Sequence, residues 1–236
     1  MGQSFINAVL EKDQNRLAPV AVIRLCGPFS RDVYPAVDWP EDLRNIVCKY
    51  CGFVDGGLEI DGEPIGDIKE SQIAAECRII EDLQIRCIVV NVANLGFIER
   101  ENAAILNACI LPFARSTISS SERAVARLYL RCPLFITQND GTILPARLAA
   151  KVPIRTFSSG PNNSMCAAAF LAKKLNELDK ESLLVVDIVG TSTDVAMLLP
   201  SRLPRQAAAV TLCYRGFWRW NFACPDVKRC FFFATI

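Results

Sequence analysis

Apolar residues along the chain fall into two patterns: short continuous runs, and longer segments with helical spacing. "FINAVLEKDQNRL" (5–17) has helical spacing and a charged opposite face. "VAVIRLCG" (20–27) is an apolar run that predicts a strand and stops at Gly27-Pro28. Residues 28–57 read as loop, with Pro28, Pro35, Pro40 and the Gly56-Gly57 pair. "LEIDGEPI" predicts a hairpin around Asp61-Gly62. "KESQIAAECRIIEDL" (69–83) predicts an amphipathic helix, and "IRCIVVNV" (85–92) a buried strand. The segment 96–130 is helical in period, with a break expected near Pro112. "CPLFITQNDGTI" predicts a strand ending in a polar loop at Gln138–Thr142. "FSSGPNNSMCAAAFLAKKL" predicts a glycine-proline turn opening into an alanine-rich helix. "VVDIVGTSTDVAML" (185–198) predicts a strand, a tight polar turn and a second strand. Strands alternating with helices imply an α/β fold. The stretch after residue 204 has no clear period and ends in the all-apolar "CFFFATI", a sticky edge unless it is buried.

Composition narrows the classes. The 236 residues suffice for one large domain or two small ones, and 51% hydrophobic residues suit a chain with a buried core. A net charge of +1 gives no broad electrostatic case for nucleic acid or an anionic membrane. No apolar run approaches the roughly 20 residues of a membrane helix. Eleven cysteines, an odd number, with no signal peptide point to reduced thiols and a cytoplasmic setting. Cys48 and Cys51 form one CxxC, but zinc would need a second pair or histidines, and the chain has no histidine. The same lack excludes a Ser-His-Asp or Cys-His centre within this chain.

The candidate chemistry lies in polar turns. Gly190, Thr191, Ser192 and Thr193 follow Asp187 and precede Asp194. Backbone N–H groups of small residues in such a turn can cradle an anion, and a strand-end carboxylate can hold a hydrated Mg²⁺. On spacing alone, a plain β-turn with solvated hydroxyls has the stronger case. Ser159 and Gly160, before a helix, suit a phosphate at a helix N-terminus, or else an N-cap by Ser159 or Asn163. "TQNDGT" (137–142) is a ligand loop at a strand end or an ordinary Asp-Gly turn. Glu99, Arg100, Glu101 and Asn102 read as a solvated helix face.

Taken in order, "FINAVLE", "VAVIRLCGPF", "DGGLEIDGEPI", "GFIERENAAILNACILPFAR", "CPLFITQNDGTI", "PIRTFSSGPNNSMCAAAFLA", "VVDIVGTSTDVAMLLPS" and "PRQAAA" resemble the hydantoinase A/oxoprolinase family, fungal-type members above all. The resemblance implies an actin-like ATPase (ribonuclease H-like) fold, here incomplete, with two partial lobes. It implies a hydrolase that couples ATP to opening cyclic amides of the hydantoin or 5-oxoproline class, through an activated, phosphorylated amide. A B-type subunit is the implied partner, and ATP and Mg²⁺ the implied cofactors. The family's phosphate loop "DxGGTxTD" maps onto Asp187, Gly190, Thr191, Ser192, Thr193 and Asp194, with Asp187 toward Mg²⁺ through water. Ser159 and Gly160 join as cofactor-binding residues, and no catalytic residue is assigned.

The chain departs from the pattern in four places. Val189 stands where the loop has glycine, and a β-branched residue costs about 1–3 kcal/mol wherever φ must be positive. The family's first glycine-rich loop, one α/β unit after "IRCIVVNV", and the continuation after "NFACPDV" have no counterpart. The expected division is 1–98, a partial N-terminal domain; 99–209, part of the hydantoinase A/oxoprolinase domain; and 210–236, an aberrant tail. These departures suggest a truncated form, with two alternatives to an active hydrolase. One is a non-catalytic fragment that binds a full-length homologue or B-type subunit. The other is a sugar-kinase-like enzyme on the same fold.

Overall fold

The structure is a computed structural model that describes residues 2–26, 30–92, 96–157, 159–174, 183–188, 192–198, 210–213 and 229–234. Two compact units emerge: Glu11–Ser121 with Ala150–Ile154, and Met1–Leu10 with Glu122–Ala149 and Arg155–Ile236. They are called here the three-stranded and the four-stranded unit.

The three-stranded unit is built on β1 (Val20–Leu25), whose six residues are all buried. A strand buried on both faces needs a continuous apolar run, which "VAVIRL" supplies apart from Arg24. On either side lie β2 (Cys48–Val54) and β3 (Cys87–Asn91), both parallel to it, giving the order β2-β1-β3. Helix α2 (Glu41–Val47) precedes β2, and α3 (Glu70–Asp82) links β2 to β3. Side chains alternate along a strand. Ala21, Ile23 and Leu25 therefore share one face, where they form a core with Val54 and with Ile80 of α3. The opposite face of β1 carries Val20, Val22 and Arg24. After β2 the chain turns at Gly57, with φ +98°; a Cβ there would collide with the carbonyl oxygen of Leu25.

Four expectations are corrected. The strand within 85–92 is not buried throughout: β3 is an edge strand, and its Ile88 and Val90 are 46% and 55% exposed. Residues 28–57 are not all loop: α2 and β2 lie among them. β2 is an edge strand and mostly half-exposed, so its sequence shows neither an apolar run nor clean alternation. The helix in 96–130 does not break at Pro112: α4 runs unbroken over Phe97–Arg127. Proline in a helix interior costs on the order of 3 kcal/mol, and α4 offsets it by burying Ile105, Ala108, Cys109, Ile110, Ala114 and Ile118. The helix expected over 5–17 is shorter: α1 covers Gly2–Leu10. It is followed by Lys12 at φ +53° and a turn in which the Arg16 and Leu17 N–H groups donate to the Asp13 carbonyl.

In the four-stranded unit, α1 packs against α6 (Ser159–Lys174). β4 (Phe135–Thr137) and β5 (Ile143–Pro145) form an antiparallel hairpin, followed by the short α5 (Ala146–Ala149). β6 (Leu183–Ile188) and β7 (Ser192–Leu198) form the expected strand pair, antiparallel. Outside them lie β8 (Val210–Cys213), antiparallel to β7, and β9 (Arg229–Ala234), parallel to β6. The apolar end of the chain thus supplies an outer strand of this sheet. Met165, Ala168, Ala169 and Ala172 recur at helical spacing on α6 and bury against Leu183 and Val185 of β6. Full burial of a Met, Leu or Val side chain contributes roughly 1.5–3 kcal/mol. The chain is a mixed α/β fold containing a parallel sheet. Among the described residues, no helix is long and apolar enough to cross a membrane.

Candidate functional site

The start of α6 and the end of β6 meet in the four-stranded unit. Asp187, near the carboxyl end of β6, is 7% exposed. Its Oδ2 accepts a short hydrogen bond from the Ser164 hydroxyl, in the second turn of α6. One turn earlier, Ser159 and Asn162 are each 3% exposed. Asn163 does not cap the helix, since it lies inside it; its Nδ2 donates to Thr137 Oγ1 at the end of β4, at 3.2 Å. The next residues form a tight turn. The Gly141 N–H donates to the Gln138 carbonyl at 3.1 Å, and Asp140 Oδ1 accepts from the Thr142 N–H at 3.0 Å and the Thr142 hydroxyl at 2.7 Å. Those bonds, the hydroxyl's first, hold the Asp140 carboxyl below the usual carboxylate range. The Asn139 N–H donates to the Arg155 carbonyl at 2.7 Å, which ties the turn to the segment leading into α6.

The sequence-derived candidates distribute as follows. Asp187 pairs in register with Asp194, and Ile188 with Thr193, so Ser192, Thr193 and Asp194 begin the strand opposite. Gly190 and Thr191, with Val189 and Ser158, lie outside the described residues. Ser159 and Gly160 form the first turn of α6 rather than a turn ahead of it. Ser164 and Asn162 were not singled out from sequence, whereas Thr137 heads the "TQNDGT" candidate loop. The polar run "PNNS" at a helix start was the available signal, and it reads identically to a capping pattern.

A second polar cluster lies in the three-stranded unit and corrects the solvated reading of "EREN". Glu101 is 2% exposed and forms a two-pronged ion pair with Arg24. Arg24 Nε donates to Glu101 Oε2 at 2.8 Å and an Nη donates to Oε1 at 2.6 Å. The other Nη donates to the carbonyls of Ser30 (2.8 Å) and Val33. The Phe97 ring lies 4.7 Å from the guanidinium. Burial alone would lower the Arg24 pKa; the Glu101 hydrogen bond and charge outweigh it and raise it. Asn91 Nδ2 adds a 3.4 Å contact to Glu101 Oε2. The cluster sits where parallel β1 and β3 part, a place where open α/β sheets commonly bind ligands. Here the fold itself occupies nearly all the donors and acceptors. The Cys48 and Cys51 thiols, on β2, are pushed up by burial to about 12 and about 11, which keeps them protonated and unreactive. Among the described residues no three His, Cys, Asp or Glu side chains converge on a metal-sized site. A single carboxylate holding Mg²⁺ through water requires no such set.

Known proteins are similar to this arrangement. Residues 100–212 match the family model for hydantoinase/oxoprolinase. An acetone carboxylase, in a nucleotide-free structure concerned with ATP-dependent acetone carboxylation, superposes with a TM-score of 0.58 at 17% identity. An ATP-dependent caprolactamase from Pseudomonas jessenii superposes with a TM-score of 0.60 at 16% identity. Each match covers 89% of this chain and 38% of the other. No curated protein sequence matches. The chain thus shares the mixed α/β fold of these two structures. The likeness to the hydantoinase/oxoprolinase family lies in residues 100–212.

Proposed function

We propose that this chain carries a nucleotide-phosphate site of an ATP-dependent hydrolase acting on cyclic amides of the hydantoin or 5-oxoproline class, on an actin-like fold. The observation that carries the reading is the Ser164–Asp187 hydrogen bond. It joins a helix N-terminus, carrying Ser159 and Gly160, to the strand whose turn has the family's phosphate-loop sequence. The residue types fit. Helix N–H groups and small hydroxyl residues suit phosphate oxygens, and a buried carboxylate with a fixed hydroxyl donor suits a hydrated Mg²⁺. ATP, when bound, supplies a transferable phosphoryl group. The chain's own part is to orient it: Asp187 toward Mg²⁺ through water, and Thr191, Ser192, Thr193 and the α6 start toward phosphate oxygens, positioning and electrostatics being the main protein contributions. Asp194, across from Asp187 in register, belongs to the same loop. A B-type subunit partner, a cytoplasmic setting and the division at residues 98 and 209 remain part of this proposal.

Support comes from the family match and from the two ATP-dependent neighbours. The test is calorimetry of the full chain with Mg²⁺-ATP. Wild type is expected to bind, and Asp187→Asn to lose about tenfold or more in affinity, near 1.4 kcal/mol. No binding at millimolar ATP would sink the reading. A second reading, a non-catalytic fragment that binds a full-length homologue, is favoured by Val189 in the loop's glycine place. Val189→Gly separates the two. A rise in ATP affinity shows a working loop, and an unchanged affinity shows a relic.

A further inference from the structure

β3 combines an open edge with an uncovered apolar face. It stands at the side of its sheet, with β1 as its neighbour among the described residues. Side chains alternate along a strand. Ile88 and Val90 therefore share one face, in register with Ala21 and Ile23 of β1. On β1 those positions are 0% and 5% exposed and belong to the core with Ile80 of α3; on β3 they are half-exposed. Val92, next in the alternation, is exposed as well. The apolar surface thus runs past the core to the edge of the sheet instead of ending in polar residues. Single exposed apolar residues are ordinary, but edge strands are normally guarded by a lysine, another charge or a proline. Cys87–Asn91 contains none of these.

An open edge with a row of backbone N–H and C=O groups is matched by another extended strand. β3 suits a copy of itself. In an antiparallel pair centred on Val89, Ile88 stands opposite Val90 of the second copy, and Val90 opposite its Ile88. Such apolar cross-strand pairs stabilise a sheet. The charges at the two ends of the strand agree with this pairing. α3 links the end of β2 to the start of β3, so it runs antiparallel to both, and its first residue, Glu70, lies level with their carboxyl ends. Gln72 accepts from the Asp55 N–H and Glu76 from the Tyr50 hydroxyl, which marks the β2 side of the helix. Helical spacing puts Glu70 on the other flank, toward β3. Arg86 lies at the amino end of β3, on the Ile88 face by the same alternation. Both charged residues are exposed. A two-fold axis at Val89 brings the amino end of one strand to the carboxyl end of the other. Arg86 of each copy then faces Glu70 of the other, whereas a parallel pairing would set like charges together. We propose that this chain forms a symmetric dimer through antiparallel β3–β3 pairing, which joins two three-stranded sheets into one across the two-fold axis. One strand and one apolar row make a small interface, so monomer and dimer exchange with concentration.

The test is sedimentation of the full chain from micromolar to near-millimolar concentration. Wild type is expected to pass from monomer to dimer and to stop there. Val90→Lys puts a charge into the apolar row and is expected to stay monomeric. Its Tm should stay close to that of the dilute wild type, because position 90 is exposed in the single chain. Arg86→Glu and Glu70→Arg are each expected to weaken the dimer about tenfold, since each turns attraction across the axis into repulsion. The double variant, with the signs exchanged, is expected to recover most of the loss. Hydrogen exchange of the wild type needs no variant: the β3 amides should gain protection as concentration rises, and those of β2, the opposite edge, should not. A wild type that stays monomeric at the highest concentration overturns the proposal and leaves the edge for a strand of another protein. Association that grows past a dimer, or that Val90→Lys leaves unchanged, also overturns it. Charge variants that weaken the dimer singly and do not recover together overturn the antiparallel arrangement. Should Val90→Lys fail to fold, the exchange result decides, and β3 amides that gain no protection with concentration overturn the pairing.

Discussion

The Arg24–Glu101 pair of the three-stranded unit and Asn162 of the four-stranded unit meet burial in opposite ways. In the three-stranded unit, Arg24 and Glu101 are almost wholly removed from water, and each finds its partners inside the fold. In the four-stranded unit, Asn162 is equally buried and has none among the described residues, while Asp187 accepts from the Ser164 hydroxyl. A satisfied cluster holds a shape. An unsatisfied one carries a cost of about 1–3 kcal/mol per idle group that the rest of the fold must offset. Polarity and burial alone do not distinguish the two; the inventory of partners does.

The largest expected effect tests the satisfied side. Glu101→Gln removes the charge that compensates a buried guanidinium, and such a loss costs about 3–5 kcal/mol. Urea denaturation should show it. The double change Arg24→Met with Glu101→Leu should recover most of the loss, because apolar replacements of a buried pair are often neutral. A neutral Glu101→Gln would break the contrast between the units. A smaller effect is expected from Ser164→Ala. It leaves the Asp187 carboxylate without its hydroxyl donor, and hydrogen bonds to charged groups contribute about 1.5–3 kcal/mol. The same melts measure it, and ATP affinity should fall in parallel. If stability falls while affinity holds, the bond is structural only.

A pH series gives the mildest test. Cys48, Cys51 and Tyr50 have folded-state pKa values of about 12, about 11 and about 12, each raised mainly by burial. The unfolded chain releases these protons nearer the ordinary values of 9.0 and 10.0. The fold therefore binds protons more tightly. That contribution is fully present below about pH 9 and is lost progressively as pH rises toward 11 and 12. All three groups lie on β2, so the three-stranded unit should loosen first. Hydrogen exchange across pH 8 to 10, read separately for β1 and α6, checks the order. Equal loosening of both helices and strands across the two units would remove this distinction.

Much of this was legible in the sequence, for physical reasons. β1 and β6 follow from apolar runs and α3 from helical spacing, while β3 was legible as a strand but not as a half-exposed edge strand, because its exposed positions Ile88 and Val90 are apolar too. α2 and β2 were not legible, since an edge strand with half-exposed positions leaves no sharp pattern. Pro112 misled because its local cost is visible in sequence and the burial that offsets it is not. The Arg24–Glu101 pair joins positions 77 apart, and nothing near either residue announces the other. Arg24 alone, in the middle of an apolar strand, could have signalled that a distant carboxylate was required. Asn162 was hidden differently, because a capping asparagine and an unpartnered one have the same neighbours in the chain.

The separation of Arg24 from Glu101 also bears on how the chain folds as it is made. β1 is complete by residue 25, yet its guanidinium has no counter-charge until residue 101 has emerged and α4 has begun to form. Until then, packing β1 into a sheet would bury a lone cation, so the strand has reason to stay open. The ion pair thus acts as a latch on folding order. β1 becomes the central strand of its sheet only after β3 and α4 have arrived, which places closure of this parallel sheet late in its folding.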